Sequence, residues 1–188
     1  MATLIYLHGF RSTGQSDKAV MLSKSFPNDT VISPTLPNNP SEVISLINNI
    51  VSTVTNYPII FVGTSLGGFY SNYFSQKYDC PGVLINPSTR PSDTMALAVG
   101  SITNHKTNEV SEWKYEYVEK LHGMEREIKD IQAGVLINLF VALDDDVIDA
   151  QTTIADLPYT AFSEITETGG HRYSSNFSNV ISRITQLI

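Results

Sequence analysis

The chain has 188 residues, of which 41% are hydrophobic and 16% are charged, and its net charge is −7 with a pI near 4.9. This length predicts one globular domain over residues 1–188, and the composition excludes an intrinsically disordered chain. The acidic balance argues against a nucleic-acid partner, because binding a phosphate backbone requires a concentrated basic surface.

Six short apolar runs predict the strands of a sheet. Each is mostly apolar, as is typical of strands that are buried on both faces of a parallel sheet. The runs are Thr3–His8, Thr30–Ser33, Pro58–Gly63, Gly82–Asn86, Gly134–Leu143 and Tyr159–Ile165. Parallel sheets bind their ligands beyond the carboxyl ends of the strands, so polar residues that follow these runs are candidates for function.

Segments with helical periodicity alternate with these runs. One stretch carries apolar residues at Val43, Ile47, Ile50 and Val54 and begins with the capping sequence Asn39-Pro40-Ser41-Glu42. The C-terminal stretch places Phe177, Val180, Ile181, Ile184 and Leu187 on one stripe. The alternation predicts an α/β fold in which right-handed crossovers join about six mainly parallel strands, with helices on both faces.

Residues 100–130 interrupt this alternation with a highly charged insertion. Five apolar residues fall on one helical stripe, which favours a solvated helix with one apolar face. They are Val110, Trp113, Tyr117, Leu121 and Met124. We interpret the insertion as a helical lid that would bring Trp113 and Tyr117 to a substrate. The alternative is that these two side chains only anchor a surface helix to the domain.

The junction after the third run carries a G-x-S-x-G pattern, Gly63-Thr64-Ser65-Leu66-Gly67. Between a strand and a helix this pattern is typical of a nucleophile elbow, a strained turn that raises a serine above the sheet. Ser65 is therefore the candidate nucleophile. The backbone N–H of Leu66 at the start of the helix, and that of Phe10 after the first strand, are the candidate oxyanion donors.

A nucleophilic serine needs a base and an acid that orients the base. Of the four histidines, His171 follows the last strand and is the expected base, whereas we expect His8 to hold its loop by hydrogen bonds. His105 and His122 lie in the charged insertion, where surface positions are expected. The acid should follow the fifth strand, where the residues alone do not choose among Asp144, Asp145, Asp146 and Asp149. With any of these acids the order along the chain is Ser, Asp, His, as in α/β-hydrolases.

The N-terminus and the cysteine content bear on the cell compartment. "MATLIYLHGF" lacks the features of a signal peptide, and Cys80 has no second cysteine in the chain with which to pair. No apolar run approaches the roughly 18 residues that a membrane span requires. We expect a cytoplasmic protein without a membrane span, and the sequence leaves the oligomeric state open.

Several segments together resemble one known group, the small bacterial YqiA/YcfP-like esterases of the α/β-hydrolase superfamily. The segments are Ile5–Ala19, Val62–Phe74, Val83–Pro91, Asp144–Asp149 and Gly169–Tyr173. The resemblance spans nearly the whole chain. It implies a reduced hydrolase sheet, without the usual first antiparallel strands, and cleavage of a small-molecule acyl ester or thioester with no metal and no cofactor.

The resemblance also implies site residues. The family pattern Gly-Asp-Glu-Val-Leu-Asp overlays residues 144–149, which places the catalytic acid at Asp145. Two features depart from the family: Asp144 stands at its glycine position, and the histidine loop is one residue shorter than the usual Gly-Gly-x-His. Arg90 is interpreted either as a clamp for an anionic substrate group or as a partner of acids that hold its loop. The same two interpretations apply to Arg11 and Arg172.

The sequence therefore predicts a serine esterase in which Ser65, Asp145 and His171 form a catalytic triad. Two other functions remain as alternatives. One is a noncatalytic binding module on a hydrolase scaffold, since a fold does not fix a function. The other is an acyltransferase that passes the acyl group to an acceptor other than water.

Overall fold

The computed structural model describes residues 1–130 and 136–188. Its strands are β1 (Thr3–Leu7), β2 (Thr30–Ile32), β3 (Ile59–Thr64), β4 (Gly82–Ile85), β5 (Gly100–Thr103), β6 (Val110–Trp113), β7 (Ile137–Ala142) and β8 (Phe162–Thr166). Its helices are α1 (Asp17–Ser25), α2 (Pro40–Thr53), α3 (Leu66–Tyr78), α4 (Pro91–Met95), α5 (Tyr115–Asp130), α6 (Ala150–Asp156) and α7 (Phe177–Thr185). The start of the fifth predicted strand, Gly134 and Val135, lies outside the described residues.

Six strands form one sheet in the order β2-β1-β3-β4-β7-β8, and every neighbouring pair is parallel. These are the six strands that the sequence predicts, so the predicted α/β fold is confirmed. The residues of β1, β3, β4 and β7 are all buried, as the apolar runs predict for strands covered on both faces. The carboxyl ends of these strands meet along one edge of the sheet.

Helices cover both faces of the sheet. Ile5 and Phe61 point to one face and pack in a core cluster with residues of α2, α3 and α5. Leu4 and Val62, one residue along each strand, pack on the other face with α1 and α7. The predicted cap of α2 is also present, because the Asn39 side chain accepts a hydrogen bond from the Ser41 N–H. In the described part of the chain, no helix is both long and apolar enough to cross a membrane.

The insertion differs from its prediction. The predicted helical stripe from Val110 to Met124 is wrong in its first part, because β5 and β6 form an antiparallel hairpin and the helix begins only at Tyr115. Val110 is 66% exposed, while Trp113 on the same strand is 1% exposed. A spacing of three residues fits a helix, but it also separates opposite faces of a strand.

The rest of the insertion packs against the domain. Val118, Leu121 and Met124 of α5 are buried in the same core cluster as β1 and β3. The hairpin turn is closed by Asn104, whose side chain accepts hydrogen bonds from the N–H groups of Lys106 and Thr107. Asparagine readily forms such turns, and this was the sequence signal for a hairpin. Whether residues 100–130 act as a lid stays a prediction.

Candidate active site

Ser65 occupies a sharp turn between β3 and α3. Its backbone has φ 57° and ψ −124°, a conformation that non-glycine residues rarely adopt. The Ser65 N–H donates to the Ile85 carbonyl at the end of β4, and the Ser65 carbonyl accepts from the N–H groups of Gly68 and Ser88. Backbone hydrogen bonds from two neighbouring elements therefore hold the strained turn in place.

The two glycines of the motif allow the strand and the helix to approach each other closely. A Cβ atom on Gly63 would collide with the backbone of Gly67, and a Cβ atom on Gly67 would collide with the Leu7 carbonyl at the end of β1. No side chain fits at either position without moving backbone. The spacing of glycines around Ser65 is thus a packing requirement of the turn.

His171 and Asp145 form a hydrogen-bonded pair at the same edge of the sheet. His171 Nδ1 lies 2.9 Å from Asp145 Oδ2 and 3.0 Å from Oδ1. The carboxylate side chain is 1% exposed and the imidazole 22%. With Nδ1–H donating to the carboxylate, a neutral ring carries its lone pair on Nε2, which is then free to accept a proton.

The environment of Asp145 keeps its side chain ionised. Burial alone would raise the pKa of this carboxyl group, but hydrogen bonds from His171 and from the backbone N–H groups of Ile148 and Val147 outweigh that effect. The net result is a pKa of Asp145 below its ordinary value. A carboxylate that stays charged at neutral pH can orient a histidine and stabilise its protonated form.

The other three acids of this loop have different surroundings. Asp144 Oδ1 accepts a hydrogen bond of 2.7 Å from the Gly170 N–H, in the loop that carries His171. Asp149 caps α6 by accepting from the Gln151 N–H. Asp146 is exposed, and within the described ranges it has neither a hydrogen bond nor an ion pair. Of the four candidates, only Asp145 contacts the His171 ring.

Asn86 connects the histidine loop to the sheet, a contact that the sequence did not predict. This buried residue follows β4 directly, and its side-chain amide donates to the carbonyls of Gly170 and His171, at 2.9 and 3.2 Å. Its amide oxygen accepts from the Ala142 N–H at the end of β7. Asn86 therefore ties the histidine loop to two central strands. A buried polar residue directly after an apolar strand, at the edge where ligands bind, was the available signal.

Replacing Asn86 with alanine is expected to destabilise the fold by about 2–3 kcal/mol. The change leaves the Ala142 N–H and two loop carbonyls without their partners, and buried unsatisfied groups carry most of such a cost. Urea unfolding followed by circular dichroism measures the effect. Asn179→Ala is a suitable control, because its amide bonds the exposed edge of the sheet at Glu164. A loss below about 0.5 kcal/mol for Asn86→Ala would contradict this account.

A cavity of about 620 Å³ opens above these residues. Ser65 and His171 both line it, as do Phe10 and Leu66, the two predicted oxyanion donors. The backbone N–H groups of Phe10 and Leu66 have no acceptor in the part of the chain that the structure describes. The cavity thus combines a hydroxyl, an imidazole and two available backbone donors, the groups that acyl transfer requires.

The residues predicted to contact a substrate divide into two groups. Arg11 lines the cavity, and its Nε donates to the Thr103 carbonyl of the insertion hairpin at 2.7 Å. Arg90, Trp113 and Tyr117 are not among the residues that line it.

Each of these three residues has a structural contact instead. Arg90 forms a two-point ion pair with Asp156, with distances of 2.8 and 2.6 Å. Trp113 donates its indole N–H to the Met95 carbonyl and stacks edge-on against Tyr117. In this structure the Arg90 guanidinium is thus engaged by a carboxylate of α6, and its role towards a substrate stays a prediction.

His8 precedes Gly9, which lines the cavity, and each nitrogen of its ring has a backbone contact. Nε2 accepts a hydrogen bond of 2.9 Å from the Leu36 N–H, and Nδ1 lies 2.8 Å from the Gly9 carbonyl. Burial lowers the pKa of His8, which keeps the ring neutral and so able to accept. Across residues 1–130 and 136–188, no group of three or more His, Cys, Asp or Glu side chains is placed to hold a metal ion.

The sheet order and the turn at Ser65 define a protein of the α/β-hydrolase fold. Several solved structures have the same fold, and the match covers most of each of their chains. Mouse alpha/beta hydrolase domain-containing protein 10 has a TM-score of 0.76 at 16% identity, covering 98% of this chain and 88% of its own. Est1E from Butyrivibrio proteoclasticus has a TM-score of 0.74 at 12% identity, covering 98% and 86%. Paleococcus ferrophilus monoacylglycerol lipase has a TM-score of 0.75 at 10% identity, covering 99% and 95%.

At these identities the structural likeness establishes the fold. The family is established by the sequence itself, which matches one family over residues 3–188. The chain belongs to that family, described as Uncharacterised protein family (UPF0227), which is the YqiA/YcfP family. The resemblance drawn from the sequence motifs is therefore confirmed.

Proposed function

We propose that this protein is a serine hydrolase that cleaves carboxylic esters or thioesters. The observation that carries the proposal is the hydrogen-bonded pair of His171 and Asp145, whose imidazole lines the same cavity as Ser65. A loop with only a structural role does not require a serine on a strained turn, a base and a buried ionised acid at one place. Solved proteins of the same fold that are named as lipolytic enzymes, such as Paleococcus ferrophilus monoacylglycerol lipase, add support.

The proposed reaction follows from the positions of these groups. Ser65 Oγ attacks the acyl carbonyl while His171 Nε2 takes the hydroxyl proton. The negative charge that develops on the carbonyl oxygen is stabilised by the Phe10 and Leu66 N–H groups. His171 then gives its proton to the departing alcohol or thiol, which leaves an acyl group on Ser65.

Water completes the cycle. His171 removes a proton from a water molecule as that water attacks the acyl-enzyme, and returns the proton to Ser65 Oγ when the carboxylic acid leaves. Asp145 stabilises the imidazolium that exists in each half of the reaction, and it does not itself take up the proton. We propose that Arg11 contacts the substrate in the cavity. The proposed role of Arg90, Trp113 and Tyr117 is to support the surrounding structure.

Labelling with a fluorophosphonate tests the proposal, because this reagent reacts with an activated serine. Intact-mass analysis should show one adduct on the native protein and none on Ser65→Ala. Ser88→Ala is a matched control, since Ser88 also lines the cavity and its hydroxyl has no hydrogen-bond partner in the described chain. This variant should still take one adduct.

Two results would contradict the proposal. An adduct that persists on Ser65→Ala would place the reactive group elsewhere. No adduct on folded native protein, together with no hydrolysis of 4-nitrophenyl esters, would favour the noncatalytic binding module. Product analysis with added alcohols or amines separates hydrolysis from acyl transfer to another acceptor.

A further inference from the structure

The cavity wall is positively charged although the chain carries a net charge of −7. Its charged lining residues are Arg11, Lys18, Lys106, Arg172 and a single carboxylate, Asp17. Among the described residues, Asp145 does not line the cavity. It is hydrogen-bonded to His171, which does. Four of the twelve lysines and arginines thus line one cavity, which gives it a net positive charge within an acidic protein.

Asp17, the carboxylate among the described lining residues, already forms an ion pair. Asp17 pairs with Lys106 at 3.1 Å, and both side chains are largely exposed, so this ion pair contributes little to stability. Arg11 donates its Nε to a backbone carbonyl. Within residues 1–130 and 136–188, Lys18 and Arg172 have no carboxylate within ion-pair distance.

Lys18 and Arg172 are also close enough to repel each other. Burial of Lys18 and the charge of Arg172 lower the pKa of the Lys18 ammonium to about 8, an effect that the attraction of Asp17 only partly offsets. The ammonium lies 5.9 Å from the centre of the Phe177 ring, which is a weak substitute for a counter-ion. An anion placed between the two cations would remove this repulsion.

These cations stand next to the proposed chemistry. Arg172 directly follows His171, and Lys18 lies in the first turn of α1 on the wall of the same cavity. Resting on the proposed esterase function, we propose that the substrate is an ester or thioester that carries an anionic group, a carboxylate or a phosphate, and that Lys18 and Arg172 bind this group. The charged group both anchors the substrate and selects it over neutral esters of equal length.

Matched ester pairs test the proposal. 4-Nitrophenyl hydrogen adipate and 4-nitrophenyl hexanoate have acyl chains of equal length, and only the adipate ends in a carboxylate. The hexanoyl esters of 4-hydroxybenzoate and of methyl 4-hydroxybenzoate place the charge difference on the leaving group instead. Inhibition of hexanoate hydrolysis by inorganic phosphate, against chloride at equal ionic strength, tests a phosphate group.

Variants at Lys18 show whether the preference comes from this residue. Lys18→Met keeps most of the side-chain length and removes the charge, so the ratio of kcat/KM for the anionic ester to that for its neutral partner should fall about tenfold relative to native protein. Comparing each variant with native protein cancels the intrinsic reactivity of each ester. Lys18→Arg keeps the charge and should restore most of the ratio.

Lys24→Met is the matched control, because it removes the same charge from the exposed last turn of the same helix. It should leave the ratio unchanged. A fall in the ratio for the adipate pair places the anion on the acyl part, and a fall for the benzoate pair places it on the leaving group. Phosphate inhibition that weakens in Lys18→Met supports a phosphate at the same site.

The inference is overturned if neutral and anionic esters are hydrolysed equally well in both pairs and phosphate does not inhibit. It is also overturned if Lys18→Met and Lys24→Met change the ratios by the same factor. In either case hydrolysis of the neutral esters and labelling of Ser65 would leave the proposed esterase function intact. Absence of both hydrolysis and labelling would overturn the function and the inference together.

Discussion

Asp145→Asn is expected to lower kcat for ester hydrolysis about 10⁴-fold. The asparagine keeps the shape of the side chain and an oxygen that can accept from the Val147 and Ile148 N–H groups, so the loop should retain its fold. The asparagine also loses the negative charge that stabilises the protonated His171, and its NH₂ group favours the wrong tautomer of the ring. Steady-state hydrolysis of 4-nitrophenyl hexanoate measures the loss.

Asp146→Asn is the control for this experiment, because it removes a neighbouring exposed carboxylate and should change kcat by less than about twofold. Urea unfolding of both variants separates a catalytic loss from a folding defect. If Asp145→Asn retained more than a tenth of native kcat, the hydrogen bond to His171 would be structural only. If Asp146→Asn caused the larger loss, the acid would be wrongly assigned.

The parallel sheet was predictable because strands that are buried on both faces appear in the sequence as short apolar runs. A strand such as β3 is mostly apolar because both of its faces are buried, and the stretch before it has helical periodicity. The two strands of the insertion do not appear as apolar runs. Its β-hairpin has an exposed Val110 and a buried Trp113, and the spacing of these two residues fits a helix as well as a strand.

The candidate site was predictable only where local sequence dictates local geometry. The turn at Ser65 requires glycines at fixed positions, so its motif identifies it. The choice among four acids depends on how the loop after β7 folds, and this rests on Asp145 accepting two backbone N–H groups. No local pattern of four nearby aspartates encodes that fold. The family resemblance supplied Asp145, and its role in catalysis stays a proposal.

The departures from the family pattern have a physical connection in the structure. The family resemblance implies that Asp144 stands at a glycine position and that the histidine loop is one residue short. In the structure the Asp144 carboxylate accepts the Gly170 N–H of that loop. The Asn86 amide donates to the carbonyl of the same Gly170, which lies in the next peptide unit along the loop. The side chain at position 144 thus provides a direct contact to the histidine loop. The sequence alone does not show this contact, because residues 144 and 170 are 26 positions apart.

Gly67→Ala is expected to destabilise the fold by about 3 kcal/mol or more. A Cβ atom at this position would overlap the backbone carbonyls of Leu7 and His8, at the end of a central strand that cannot move without disturbing its neighbours. Gly67 lies in the first turn of α3 without a positive φ, so alanine is favoured there by helix propensity. The whole predicted loss is therefore steric.

Gly123→Ala provides the matched control within a second helix. In the described part of the chain, no atom beyond the neighbouring residues and the backbone of α5 itself lies within 4 Å of a Cβ at Gly123, so the same substitution there should stabilise the protein by about 0.5–1 kcal/mol through helix propensity alone. Urea unfolding of both variants should thus give changes of opposite sign. If Gly67→Ala stayed within about 1 kcal/mol of native protein, the close approach of α3 to β1 would be wrong, and with it the geometry that lifts Ser65 into the cavity.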